Sequence, residues 1–454
     1  MARQRHRSPS RARIAAFDTL FAVASQQAYA NLELGHALQR HQLDAQQAAQ
    51  ATELVNGTAR LMGSYDRIIA AAGGRGLASL QPAVVTVLRL ASHELLSMRT
   101  PTHAAVDEAV NLARHTVGQR VTGLVNAIAR KIAAKTLPEW VHELAAGASG
   151  VEALAIGTHH PQWIAQAYVD LLGPEAEQAL QANNVAPVPT LVVRPGLASR
   201  DELLDEHGQP TPHSPHGVIR EGNPADLAAV RQGRAGVQDE GSQLLADLLA
   251  RVPVLGPAQQ KSWLDVCAGP GGKSALLTGL ARQQGRWLLA SEVAPHRARL
   301  VSQALRCYPD GWQVVTADGT APAWQPEAFG RVMADLPCTG LGSLRRRPES
   351  RWRRTESDLA DLTTLQRTLL DQAWLATAPG GVLALVTCSP HRAETVDQLQ
   401  HLLQAHPEAD VLPAAELLGI DQAAHPLDER AVQLWPHRHG TDAMFGALVR
   451  KPVD

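Results

Sequence analysis

Apolar positions over residues 11–135 recur every three or four residues, the period of helices that each bury one face. Ile14, Phe17, Leu20, Phe21 and Ala24 form one such stripe. Leu54, Val55, Leu61, Ile68 and Ile69 form a second, and Val84, Val87, Leu88, Leu95 and Leu96 a third. Gly73–Gly76 with Pro82, then Thr100–Pro101, then Val117–Gly118 separate these stripes, as capping and breaking residues do. No alternating strand pattern intervenes, so an all-helical domain is predicted over 10–135. Weaker helices follow, Pro161–Leu172 among them, stopped by Gly173-Pro174, and Thr190–Arg194 reads as a short strand. Residues 136–236 are therefore expected to be a helical connector and a small α/β subdomain.

From about residue 237 to 452 the pattern becomes strand–helix–strand. Strands are predicted at Trp263–Cys267, Trp287–Glu292, Trp312–Ala317, Arg331–Asp335 and Val382–Thr387, with the clearest helices at Ser274–Arg282 and Pro295–Cys307. Strands apolar on both faces and separated by helices predict a parallel sheet covered on both sides. In such an open α/β sheet the ligand sits beyond the carboxyl ends of the strands. Residues 207–216 (HGQPTPHSPH) read as an exposed polar loop. Its His213 and His216 have no acidic or thiol partner at ligand spacing, so no metal is expected there.

Charge changes this picture more than composition does. The 42 Lys and Arg nearly balance the 44 Asp and Glu. Yet residues 1–140 hold 16 basic against 9 acidic residues, which leaves the remainder acidic. Inside that remainder lies one dense basic run, Leu341–Arg354, with Arg345, Arg346, Arg347, Arg351, Arg353 and Arg354 against a single Glu. Both basic regions would attract a phosphate-rich partner, although charge runs are also ordinary solvated surface. Four cysteines in 454 residues exclude a disulfide scaffold and suit a reducing, cytoplasmic setting. No apolar run approaches the ~18 residues of a membrane span. The amino-terminal stretch reads as a basic tail entering a first helix, because Asp18 interrupts its apolar part.

The strand ending at Cys267 runs directly into Ala268-Gly269-Pro270-Gly271-Gly272-Lys273 and a helix. Small residues let that backbone approach a ligand, and the helix start offers unpaired N–H groups. The loop matches neither a dinucleotide fingerprint nor a phosphate loop, since Ala268 stands where the latter needs Gly. Glu292 ends the next strand, where a carboxylate accepts from a ribose diol, and Asp318 follows the third, within reach of an adenine amino group. Three acidic strand ends around a small-residue loop suit S-adenosylmethionine, with a dinucleotide or a purely structural loop as the competing readings.

Two further loops leave the same sheet edge, one carrying Asp335-Leu336-Pro337-Cys338 and the other Thr387-Cys388-Ser389. Two thiols are too few for a metal site, and Cys307 reads as a helix core residue. A thiolate adding to C6 of a pyrimidine makes C5 nucleophilic toward a methyl donor, after which a base must remove the C5 proton. Asp335 is placed to hold the amidine side of cytosine. Ordinary burial of two small hydrophobes is the competing reading for the cysteines.

The chain resembles the bacterial Sun/Fmu family of ribosomal RNA cytosine-5 methyltransferases, which carry a NusB-like helical domain ahead of the catalytic one. The resemblance rests on Thr52–Ile69, Val87–Ala113 and Gly123–Arg130 in the helical part. In the catalytic part it rests on Val237–Leu249, Asp265–Leu277, Ala334–Arg354, Ala378–Glu394 and Gly440–Lys451. It implies Cys388 as nucleophile, Cys338 as the cysteine of product release, and Cys267 to Lys273, Glu292, Asp318 and Asp335 as donor contacts. It also implies that the helical domain and the stretch around Leu191–Arg194, with Arg194, help hold RNA. The implied substrate is unassembled 16S ribosomal RNA. Transfer RNA or large-subunit RNA, or a non-catalytic NusB-like adaptor, are the alternatives. No obligate protein partner and a monomer are expected. Four departures stand out: Glu292 where Asp is commoner, Gly269 where Ala is usual, and Leu336 and Thr339 for Ala and Ser beside Cys338. The Gly269 change reads as a harmless loss of one methyl.

Overall fold

The computed structural model describes residues 8–26 and 30–453. The basic tail at residues 1–7 therefore lies outside the described residues. The chain divides into two compact units, Met1–Gln166 with Arg347–Arg353, and Ala167–Arg346 with Arg354–Asp454. The division falls inside the helix Gln162–Leu172, within the stretch expected to be a connector.

Among the described residues the first unit contains helices and no strand, with helices at Arg11–Gln26, Ala30–Arg40, Ala45–Gly73, Pro82–Leu96, Thr102–Thr116, Thr122–Ile132, Leu137–Leu144 and Gly150–Gly157. Asp44 starts the longest one by accepting from the Gln47 N–H at 2.8 Å, and Gly74, at φ 63°, stops it. Leu54, Val55, Ile68, Val87 and Leu88 are fully buried in the core, as the periodicity predicts. The returning segment 347–353 completes this unit. The Trp352 indole N–H donates to the Ala59 carbonyl at 2.8 Å, and its ring lies where a Cβ on Gly63 would come within 2.1 Å. Arg351 is wholly buried and donates to the His159 carbonyl at 3.1 Å.

Among the described residues the second unit carries thirteen strands. Thr190–Val193 (β1), Gly208–Pro210 (β2), Gly217–Arg220 (β3) and Ala235–Val237 (β4) form an antiparallel sheet of order β2-β3-β1-β4. The expectation of an exposed loop at 207–216 is corrected here. Residues 208–210 are sheet, Thr211 and Ser214 are buried, and the Glu240 carboxylate accepts from the backbone N–H of His213 and of Ser214, each at 2.7 Å. His216 also meets an acid, with its Nε2 3.1 Å from Asp247.

The large sheet contains Ser262–Asp265 (β5), Leu288–Glu292 (β6), Trp312–Thr316 (β7), Phe329–Asp335 (β8) and Thr377–Thr387 (β9). It continues with Asp410–Leu412 (β10), Ala424–His425 (β11), Asp428–Gln433 (β12) and Phe445–Arg450 (β13). The order β7-β6-β5-β8-β9 is parallel, as predicted. β13 then pairs antiparallel with β9 along six residues, and β10 and β12 pair with β13, so the sheet is mixed rather than wholly parallel. Both faces of β6, β8 and β9 are buried, whereas no residue of β7 is fully buried because it is the edge. Because β5, β8 and β9 are parallel, the loops after them leave the same edge. Among the described residues no helix is long and apolar enough to cross a membrane.

Candidate active site

The loop after β5 enters the helix Gly272–Gln283 through Gly271, at φ 107°. Glu292, at the end of β6, is 3% exposed and turned onto this loop. Its Oε2 accepts the Gly269 N–H at 3.1 Å and its Oε1 accepts the Ala294 N–H at 3.0 Å, with Arg297 Nε 3.5 Å away. A Cβ at Gly269 would lie 2.2 Å from Glu292 Oε2. The missing methyl is thus the space that the longer carboxylate fills, which corrects the reading of Gly269 as incidental.

Polar capacity remains at this loop. Asp265 Oδ1 and both amide atoms of Gln238 are buried without a hydrogen-bond partner, and the Gln238 amide approaches Gly272. Burial raises the Asp265 carboxyl to about 7 despite a 2.6 Å bond from the Ser274 hydroxyl. Burial also pushes the Cys267 thiol up, which disfavours its thiolate. Asp318 lies two residues beyond β7, solvent-facing and held below its ordinary range by the Thr320 N–H and hydroxyl. Buried unpaired acceptors and donors, free helix N–H groups and an acidic strand end fit a donor carrying an amino acid and a ribose.

Cys338 and Cys388 converge as the topology predicts, with their sulfurs 3.4 Å apart and neither joined in a disulfide. Beside them Lys273 Nζ donates to Asp335 Oδ2 at 2.9 Å. Burial works against the Lys273 ammonium, but Asp335, and then Cys388, outweigh it and raise its pKa. The Cys338 thiol is pushed well up, first by its bond to Cys388, then by burial and the charges of Cys388, Glu394 and Asp335. Leu336 and Thr339 are each 3% exposed and point inward, so these departures pack the loop from behind. Cys307 lies beyond its helix, which ends at Leu305, and is partly buried.

The arginines divide sharply, which corrects part of the expectation for them. Arg345 donates to Asp442 at 3.0 Å, to Asp239 at 2.7 Å and to the Gly440 carbonyl at 2.7 Å. Arg346 is exposed but pairs with the buried Asp442, and Arg351 is buried in the helical unit as described. These three side chains neutralise or cap internal groups. Asp239 is raised to about 6 by burial and by Asp442, while Arg346 and Arg345 overcome burial to hold Asp442 low. Arg194 is likewise enclosed, donating to the carbonyls of Gly233 at 2.7 Å and Ala304 at 2.5 Å and to Cys307 Sγ at 2.9 Å. Arg347 is exposed, and Arg353 and Arg354 are half-buried. Sequence reasoning misses Asp239, Asp442 and Glu394 because their partners lie far away in sequence, and Gln238 because only its burial beside the loop marks it. Among the described residues no group of three or more His, Cys, Asp or Glu could hold a metal.

Residues 252–450 match the family model of the 16S rRNA methyltransferases RsmB/F, and residues 10–134 match that of the NusB family. A protein of Mycobacterium tuberculosis named "Putative methyltransferase" is 44% identical over 463 residues, covering 98% of this chain and 99% of the relative. The ribosomal RNA small subunit methyltransferase B of Vibrio cholerae is 30% identical over 448 residues, covering 95% of this chain and 97% of the relative. Among solved structures, PH0851 aligns with TM-score 0.80 at 22% identity over 98% of this chain and all of its own. NSun6 from Pyrococcus horikoshii with SFG aligns with TM-score 0.56 at 17% identity over 65% of this chain and 99% of its own. These two likenesses bear on the fold.

Proposed function

The chain belongs to the RsmB/F methyltransferase family, and from that premise we propose that it methylates C5 of a cytosine in 16S ribosomal RNA through a covalent cysteine adduct. The observation that carries this reading is the pair of thiols 3.4 Å apart, not joined in a disulfide, beside the Lys273–Asp335 ion pair, at the edge where the donor loop also emerges.

Cys388 is the nucleophile. Lys273 and Arg346 are both electrostatically coupled to it, and neighbouring cations favour a thiolate. Its addition to C6 forms the S–C6 bond and turns the C5=C6 pair into an enamine-like nucleophile at C5. S-adenosylmethionine, when bound, supplies an electrophilic methyl group. Asp335, oriented by its ion pair with Lys273, accepts from the amino side of the base and holds C6 over Cys388. Release needs the C5 proton to pass to a base while the C5=C6 pair re-forms and expels Cys388 as thiolate. Cys338 serves that step. The base must leave its stack for C6 to be reached. Gly269, Gly271, Gly272 and Lys273, with Glu292 and Asp318, hold the donor, while the NusB-family domain and the exposed Arg347, with Arg353 and Arg354, hold the RNA.

The test is methyl transfer from labelled S-adenosylmethionine by the purified full chain to protein-free 16S RNA, assembled small subunits, transfer RNA and large-subunit RNA. Bisulfite sequencing then locates the product. Label at one cytosine C5 of free 16S RNA is the expected result. Label on another RNA overturns the substrate, and label on another atom overturns the chemistry.

A further inference from the structure

Behind the Cys338 loop lies a carboxylate that no step above uses. Glu394 is completely buried. Its Oε1 accepts the backbone N–H of Thr339 at 2.7 Å and the Gln366 amide at 3.2 Å, and its Oε2 accepts the Thr339 hydroxyl. Gln366 uses the same amide nitrogen to reach the Pro337 carbonyl at 2.8 Å. The residues on both sides of Cys338 are thus tied to one carboxylate–amide pair. The Thr339 hydroxyl also stands 3.4 Å from that of Ser389, which follows Cys388. Three donors converge on this anion and offset the cost of burying it. An amide in its place would turn an NH₂ group toward donors, so the position calls for an acceptor-only side chain.

We propose that Glu394 is a positioning residue of the thiol pair, locking the Pro337–Thr339 loop so that Cys338 is held against Cys388 and the two cysteines take different roles. The proposal rests on the two-thiol reading above. Two identical side chains in contact need an asymmetric surrounding if only one is to attack. The groups facing Cys338 are Cys388 at the end of β9, Glu394 in the turn beyond it and Asp335 at the end of β8, all of which oppose its ionisation. The cations Lys273 and Arg346 are coupled to Cys388 instead. Glu394 supplies both the geometry and part of this asymmetry.

The experiment uses the full chain without RNA first. Iodoacetamide labelling of wild type, Glu394→Gln and Thr339→Val, followed by peptide mass spectrometry from pH 6 to 9, gives separate rates for the two cysteines. Cys388 is expected to react faster in wild type. In Glu394→Gln the ratio of the two rates is expected to fall about tenfold, the effect of one pK unit on thiolate fraction. Thr339→Val, which removes one donor and keeps the branched side chain, should shift it in the same direction and carries the test if Glu394→Gln does not fold. With RNA, both variants should retain a single turnover and accumulate a denaturation-resistant adduct. An unchanged rate ratio in both folded variants overturns the proposal, as does a parallel rise of both rates, which signals loosened packing alone. If Cys388→Ala retains methyl transfer, the two-thiol reading falls, while the rate ratio measured without RNA still decides the role of Glu394.

Discussion

Gly269→Ala should cripple donor binding, and it should do so only while Glu292 is a glutamate. The new Cβ would stand 2.2 Å from Glu292 Oε2, about 1.2 Å inside an ordinary contact of 3.4 Å. Retreat is blocked on the other flank by Arg297, whose Nε lies 2.8 Å from the same Cβ position. The carboxylate must therefore give up the Gly269 and Ala294 N–H bonds of 3.1 and 3.0 Å and the orientation they impose. Each charge-assisted bond is worth about 1.5–3 kcal/mol, so donor affinity should fall about tenfold to a hundredfold. The backbone at Gly269 does not have a positive φ, so the clash rather than backbone strain is what the substitution tests, and each variant's unfolding midpoint is measured beside its affinity so that donor loss is read only in folded protein. Glu292→Asp withdraws the carboxylate by one methylene, about 1.5 Å, and restores room for the methyl. The assay is calorimetric titration of S-adenosylhomocysteine into wild type, both single variants and the double variant. A coupling energy of at least about 1 kcal/mol is expected, with the double variant binding better than Gly269→Ala alone. Additive effects, or normal binding by Gly269→Ala, would refute the steric argument and remove Glu292 from the donor site.

Three further outcomes follow from the geometry. On denaturing gels with labelled RNA, Cys338→Ala should accumulate a covalent adduct and the Cys338→Ala/Cys388→Ala double variant should show none; an adduct confined to Cys388→Ala would reverse their roles. Arg345→Met leaves Asp239 and Asp442 without their shared partner and should cost about 3–5 kcal/mol in denaturant unfolding. Replacing Arg347 and Arg354 together by Gln should instead lower the salt slope of RNA binding by about 1.4, at about 0.7 per single-strand phosphate; the opposite assignment of these two effects would undo the division of the arginines. The folded Asp265 carboxyl, raised to about 7, binds its proton more tightly than in the unfolded chain, so its contribution is complete below about pH 4 and is lost as pH rises to 7. Denaturation midpoints of Asp265→Asn should fall less than those of wild type over that window, and parallel profiles would show that burial does not govern this group.

The parallel strands were legible because two-sided burial leaves unbroken apolar runs, as in Val332–Ala334 of β8 and Val382–Val386 of β9. The convergence of Cys338 and Cys388 then followed from topology alone. β13 was not legible as a strand. Its six residues look like any short apolar run, and only the exposed flank of β9 decides that it pairs there, antiparallel. The arginine run was misread for a related reason. Six arginines in fourteen residues look like a phosphate surface, but the acids that claim Arg345 lie 106 residues before it and 97 after it. Glu394 gave no local sign, since its meaning comes from Thr339, 55 residues earlier. Local pattern reports elements and charge, whereas the pairing of buried charges is settled only when distant segments meet.

The return of residues 347–353 to the helical unit has a consequence for the order of synthesis. Trp352 and Arg351 fill the interior beside Gly63, Ala59 and His159, yet they are made nearly two hundred residues after the last of these. A chain growing from its amino terminus can form the early helices but cannot close their packing until residue 353 has emerged. By then β5 to β8 and the Cys338 loop already exist. The helical unit is thus finished only on a nascent chain that already carries most of the catalytic sheet, and a fragment ending at residue 166 would leave a bare strip along Gly63.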